Sequence, residues 1–151
     1  MTIRPAISAD APAVTAIAEA AYARYIPAIG RKPAPMVADF AGLIAQGLVF
    51  VTGAPDGFIV FFPKDGAMFL ENVAVHPVAA GRGLGRALIA FCEAEARRLG
   101  LPAITLYTNE KMLANQNLYP RLGYTETHRV SEQGFSRIYY RKAIQQGNGR
   151  P

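Results

Sequence analysis

The chain reads as a mixed sheet with helices on its faces, α/β or α+β in class. Three observations predict this. Apolar residues recur at spacings of three and four in some stretches and alternate in others. The two patterns interleave in the order β-α-α-β-β-β-α-β-α-β-β. The chain has 151 residues, 51% of them hydrophobic, enough for one well-filled core without disulfide or metal staples.

Thr2 to Ala6 reads as a short strand. Ser8 is placed to cap the next helix, with Asp10 in its first turn and Pro12 near its start. Val14, Ile17, Ala18, Ala21, Tyr22 and Tyr25 form its apolar stripe, and Pro27 marks its end. Ile26 to Pro35 carries three prolines, Gly30 and the pair Arg31-Lys32, the composition of a loop. Met36 to Gln46 reads as a second helix closed by Gly47. Leu48–Thr52 and Phe58–Phe62 are β-rich runs joined by the turn Gly53–Gly57, and Met68–His76 is the next strand. A long helix follows to Leu99, with Leu84, Leu88, Phe91, Cys92 and Leu99 on one face and Gly100 and Pro102 as its stop. Ala103–Thr108 is a strand, and Glu110–Leu122 a helix that Pro120 interrupts or ends. Tyr124–Val130 and Phe135–Lys142 close the chain as a hairpin around Ser131–Gly134. The folded domain is expected over 1–142, with 143–151 a flexible tail.

Composition narrows the functions. One cysteine excludes an internal disulfide, and with two histidines it gives no basis for a metal site. No apolar run reaches the roughly 18 residues of a membrane span. Thr2-Ile3-Arg4 directly after Met1 is unlike a signal peptide, so the expected compartment is the cytoplasm, without membrane association. Sixteen basic against eleven acidic residues leave a net charge of +5, which attracts anions. The basic residues come in pairs (Arg31-Lys32, Arg97-Arg98, Arg141-Lys142) and no run of four occurs, which favours a phosphorylated small molecule over nucleic acid.

Chemistry concentrates in one turn. Gly81, Gly83 and Gly85 alternate between a strand and the N-terminus of a helix, with Arg82 and Arg86 interleaved. Glycines let the backbone approach a ligand closely, the amides converge, and the helix dipole adds roughly half a positive charge. Together they suit a pyrophosphate. The spacing fits neither the P-loop, since no Lys-Ser or Lys-Thr follows, nor the dinucleotide fingerprint, which would require glycine at Arg86 or Leu88. The plain alternative is a tight turn that starts a helix.

Val73-Ala74-Val75-His76-Pro77 followed by Gly81-Arg82-Gly83-Leu84-Gly85-Arg86-Ala87-Leu88 resembles the acyl-CoA-binding motif of the GNAT superfamily of N-acetyltransferases. That motif is Arg/Gln-x-x-Gly-x-Gly/Ala, and this chain departs from it in carrying Ala80 at the first position. Asn115, Tyr119 and Gly123-Tyr124 resemble a second segment of the family. The order of elements agrees over almost the whole chain. The resemblance implies a mostly antiparallel sheet of about seven strands, splayed at an acyl-CoA cleft, and an acetyltransferase using acetyl-CoA and no metal.

The resemblance also implies roles. Val73, Ala74 and Val75 would pair with the pantetheine arm as an extra strand does, and Gly81, Arg82, Gly83, Leu84, Gly85 and Arg86 would hold the diphosphate. An amine attacks the thioester directly, and a backbone N–H at or near Val73 meets the oxyanion. Tyr119 would hand a proton to the departing thiolate, core packing being its alternative. Glu71, on the same strand face as Val73, is the candidate base, directly or through water, with an ordinary surface ion pair as its alternative. Asn115 either touches CoA or holds the local geometry, while His76 reads as structural and Cys92 as core.

The amine would enter beside Tyr22, Tyr25, Arg31, Lys32 and Met36 and near 132–135, with His128 a further candidate facing it. Arg31 and Lys32 could grip an anionic group on the acceptor or simply be solvated. The acceptor itself, small molecule or peptide, is not named by the sequence. The competing function is an acyl-CoA-binding regulatory module without turnover; a monomer and a homodimer paired through the last strand are both open.

Overall fold

The computed structural model describes residues 2–145. They gather in two compact units: residues up to Phe62 with Leu70–Cys92, and Pro63–Phe69 with the chain from Glu93 onward. The expected interleaving of helices and strands holds from end to end, with seven strands among the described residues.

In the first unit the strand order is β1 (Ile3–Pro5), β2 (Val49–Thr52), β3 (Gly57–Lys64) up to Phe62, and β4 (Ala67–Val75) from Leu70. Antiparallel ladders pair Ile3 with Thr52 and Val49 with Val60. Phe50 stands opposite Ile59 and Val51 opposite Phe58, so Phe50 and Phe61 share one face of the sheet, and Val51 and Phe58 the other. Phe50 and Phe61 stack at 5.3 Å, and both meet Phe91 of α4 (Leu84–Arg98). Phe58 meets Phe40 of α3 (Phe40–Ala45) edge-on at 5.2 Å. Helices thus cover both faces. Cys92 is fully buried on α4, as its place on the apolar stripe predicts, whereas Leu99 lies beyond the helix end and is about half exposed, against expectation.

Helix α1 (Ala11–Tyr22) buries Val14, Ile17, Ala18 and Tyr22. Its entry is tied by Asp10 and not by Ser8. The Asp10 carboxylate accepts the Ile7 N–H at 2.8 Å and two guanidinium bonds from Arg4 at 2.8 and 3.0 Å, a charge-assisted fork that a serine hydroxyl cannot offer. Those bonds, Arg4's first, lower the Asp10 carboxyl to about 2. Pro27 does not end the first helix. It occupies the first turn of a short helix, α2 (Ile26–Ile29), where its missing N–H is harmless. Met36 lies in a separate turn, Ala34–Met36, and α3 starts only at Phe40, where Asp39 accepts the Gly42 N–H.

In the second unit the order continues from the start of β4 through β5 (Ala103–Asn109) and β7 (Phe135–Ala143) to β6 (Thr125–Glu132). The β4–β5 ladder is parallel and joins Met68 to Ile104 and Phe69 to Thr105; β4 runs on to Val75 and β5 to Asn109. The β5–β7 and β6–β7 ladders are antiparallel. Pro120 sits inside the last turn of α5 (Leu113–Arg121), one residue before the helix stops. Of the expected tail, Ala143 closes β7, and Ile144 is buried with its N–H on the Pro102 carbonyl at 2.8 Å. Positions 146–151 lie outside the described residues.

Candidate active site

Strand β4 alternates. Leu70, Asn72 and Ala74 are buried, and Glu71, Val73 and Val75 are half-buried on the opposite face. Glu71 and Val73 therefore share a face, as expected. The strand ends where His76 Nδ1 accepts the Val78 N–H at 3.2 Å and the His76 N–H is donated to Asp56 at 2.8 Å, which gives His76 the structural role expected of it.

The chain then turns through Pro77–Ala79 and reaches Gly81 and Gly83 at φ +84° and +77°. That left-handed region is costly for other residues, so the glycines are there for their backbone. A Cβ at either would meet nothing within 4 Å, and the space beside both is open. The Ala87 N–H is donated to the Gly83 carbonyl at 3.0 Å. The amides of Leu84, Gly85 and Arg86 precede that bond, in the turn where helix geometry leaves donors unused. A Cβ on Gly85 would stand 3.8 Å from Val75 Cγ2, so strand end and helix start are in contact. Arg82 and Arg86 are exposed, and among the described residues neither has an acidic partner. Converging amides, a helix dipole and two open guanidinium groups can hold a diphosphate.

Tyr22 is brought to this strand: its hydroxyl donates between Asn72 Oδ1 (2.8 Å) and the Val73 carbonyl (2.9 Å). Tyr25 is half-buried and lies under Arg24, whose guanidinium is 4.7 Å from its ring centre, while Arg31 and Lys32 are exposed.

In the second unit Tyr119 is buried on α5, its ring edge-on to Tyr124 at 5.6 Å and tilted against Tyr140 at 5.8 Å. The Tyr124 hydroxyl donates to Glu93 at 2.8 Å, and Lys142 donates to the same carboxylate at 3.1 Å. Asn115 donates to Thr108 Oγ1 at 3.0 Å, tying α5 to β5. His128 is exposed and stacked flat on Tyr139 at 4.4 Å, with its Nδ1 2.9 Å from Thr127 Oγ1.

Sequence reasoning passed over the cluster around Tyr139. Its hydroxyl donates to Glu132, which also accepts from Arg137 at 2.9 Å. Arg137 is buried, with its guanidinium over the rings of Tyr107 (4.4 Å) and Phe135 (5.4 Å). The Tyr139 and Arg137 hydrogen bonds hold the Glu132 carboxyl below the usual range. Burial, then the bond to Glu132, pushes the Tyr139 phenol up to about 12. Asn72 was also passed over, although a lone amide at a core-facing strand position is a signal of a buried polar contact.

Fold and turn together define an α/β protein with a turn suited to an anionic ligand where a strand meets a helix. Residues 15–124 match the Acetyltransferase (GNAT) family, and the chain belongs to that family. It is 34% identical over 99 residues to the mycothiol acetyltransferase of Nocardia farcinica, a span of 60% of this chain but only 31% of that relative's length. A GNAT-family acetyltransferase from Desulfovibrio desulfuricans shares the fold at TM-score 0.76 and 22% identity, over 95% of this chain and 99% of that one. The protein yncA of Salmonella typhimurium, solved with its cofactor acetyl-CoA, superposes at TM-score 0.70 and 25% identity, over 100% of this chain and 98% of that one.

Proposed function

We propose that the chain is an N-acetyltransferase that passes the acetyl group of acetyl-CoA directly to a primary amine of a small molecule or peptide. Family membership supports the acetyl-transfer class, and acetyl-CoA, the cofactor of yncA, is the donor. The observation that carries the reading is the turn after β4, with Gly81 and Gly83 left-handed at the start of α4 and Arg82 and Arg86 open to an anion.

The donor supplies an acyl group activated as a thioester. Its diphosphate is held by the amides of 83–86 and by Arg82 and Arg86, and its pantetheine arm by the Val73–Val75 backbone. The amine nitrogen bonds to the thioester carbon, the carbon–sulfur bond breaks, and the amine gives up one proton. Glu71, half-buried on β4, takes that proton directly or through water. A Val73 N–H donates to the carbonyl oxygen as negative charge gathers there. Tyr119 returns a proton to the thiolate. Tyr25, Arg31 and His128 are acceptor-side candidates. The protein works in the cytoplasm without nucleic acid or metal, as a monomer or homodimer.

The test is thiol release from acetyl-CoA over a panel of an alkylamine, an arylalkylamine, a polyamine, an aminoglycoside and a lysine peptide. At least one amine should accelerate release, and Tyr119→Phe should lower kcat about 100-fold. Acetyl-CoA binding with no amine turned over would favour the regulatory module, and an unchanged kcat in Tyr119→Phe would remove Tyr119 from the mechanism.

A further inference from the structure

One buried hydrogen-bond chain is unused by this chemistry. Tyr22 ends α1, and its hydroxyl is shared between Asn72 Oδ1 and the Val73 carbonyl. The Asn72 Nδ2 group donates to the Pro35 carbonyl at 3.0 Å. Tyr22 is 7% exposed and Asn72 4% exposed, so water competes little for these bonds. An apolar residue would fill the core-facing position of Asn72 without desolvating an amide. The amide does what no apolar side chain can: it binds two remote segments at once. Its oxygen takes the end of α1 and its nitrogen takes the turn Ala34–Met36. Residues 23–34 lie between these tie points and contain Tyr25, the left-handed Gly30 and Arg31.

We propose that Tyr22 and Asn72 are positioning residues that clamp both ends of the 23–34 segment onto β4 and so set where the acceptor amine is received. Tyr22 then touches neither substrate, in place of the contact role expected for it. Its hydroxyl holds the segment that carries Tyr25 and Arg31 against the strand that carries Glu71 and Val73. The proposal rests on the acetyltransferase reading for its kinetic consequence, but its mechanical consequence is independent of it.

Tyr22→Phe removes one hydroxyl and keeps the ring; Asn72→Ser shortens the clamp and is the second variant should the first fail to fold. Amide hydrogen exchange of the full-length protein should become faster in 23–37 and stay unchanged in 84–98. With the best amine of the panel, its KM should rise about five-fold while kcat changes less, the size expected for one net hydrogen bond. The acetyl-CoA dissociation constant should stay within about two-fold of the parent. Unchanged exchange in 23–37 would overturn the clamp. Equal weakening of amine and acetyl-CoA would overturn its acceptor role and show a general support of β4. Turnover of no amine by the parent protein would sink the acetyltransferase reading alone, with the exchange comparison still deciding the clamp.

Discussion

The turn after β4 and the corner of the β6–β7 hairpin treat their arginines in opposite ways. Arg82 and Arg86 stand exposed beside the first-turn amides of α4, with no acidic partner among the described residues. In the hairpin Arg137 is closed on Glu132, and Arg129 on Glu126 at 2.8 Å. Positive charge left open invites an anion, whereas positive charge already paired within the hairpin has little left to offer one. The net +5 of the chain is therefore a poor guide to where a ligand sits; what matters is which open cations stand beside the backbone amides of a helix start.

Replacing the neutralised cation should break the hairpin and spare the turn. Arg137→Met leaves Glu132 without its guanidinium and removes the cation from over Tyr107 and Phe135. The expected loss is about 2 kcal/mol, a fall of roughly 4–8 °C in Tm by calorimetry, with the stabilisation by acetyl-CoA unchanged. A parent-like Tm would mean that the pair contributes nothing net.

A smaller effect is expected at the entry of α1, where Asp10 is held at about 2, chiefly by Arg4. A carboxyl lowered on folding stabilises above its ordinary value of 3.8 and loses that contribution as the pH falls toward 2. The difference in urea midpoint between the parent and Asp10→Asn should therefore be full at pH 6 and shrink steadily below pH 4. A difference that stays constant down to pH 2.5 would mean that the ion pair has no part in it.

The two regions also differ in how legible they were. The glycine turn is contiguous, and its left-handed glycines and helix start are local features, so its geometry can be read along the chain. Hydrophobic period likewise placed every strand and the longer helices, and strand alternation put Glu71 and Val73 on one face. The Tyr22–Asn72 contact joins residues 50 apart, and no local pattern announces it. Glu132 and Arg137 are only five apart, yet their meeting depends on the turn between them. The strands run on to Glu132 and resume at Phe135, with Gln133 and Gly134 both at positive φ, the signature of a two-residue hairpin turn. An expected four-residue turn at 131–134 hid that pairing. At the entry of α1 a local rule favoured Ser8, but a carboxylate reinforced by Arg4 outcompeted the hydroxyl.

The most direct test of the central claim, that the Gly81–Gly85 turn holds the diphosphate of acetyl-CoA, is thermal unfolding with acetyl-CoA, NADH or ATP, on the parent and on Gly83→Val. At about 100 times its dissociation constant, acetyl-CoA should add roughly 2.7 kcal/mol to the parent, a rise of several degrees in Tm. Gly83→Val forces a branched side chain into the left-handed region and should lose most of that rise. No rise in the parent, a larger one with NADH or ATP, or an undiminished one in Gly83→Val would contradict the claim.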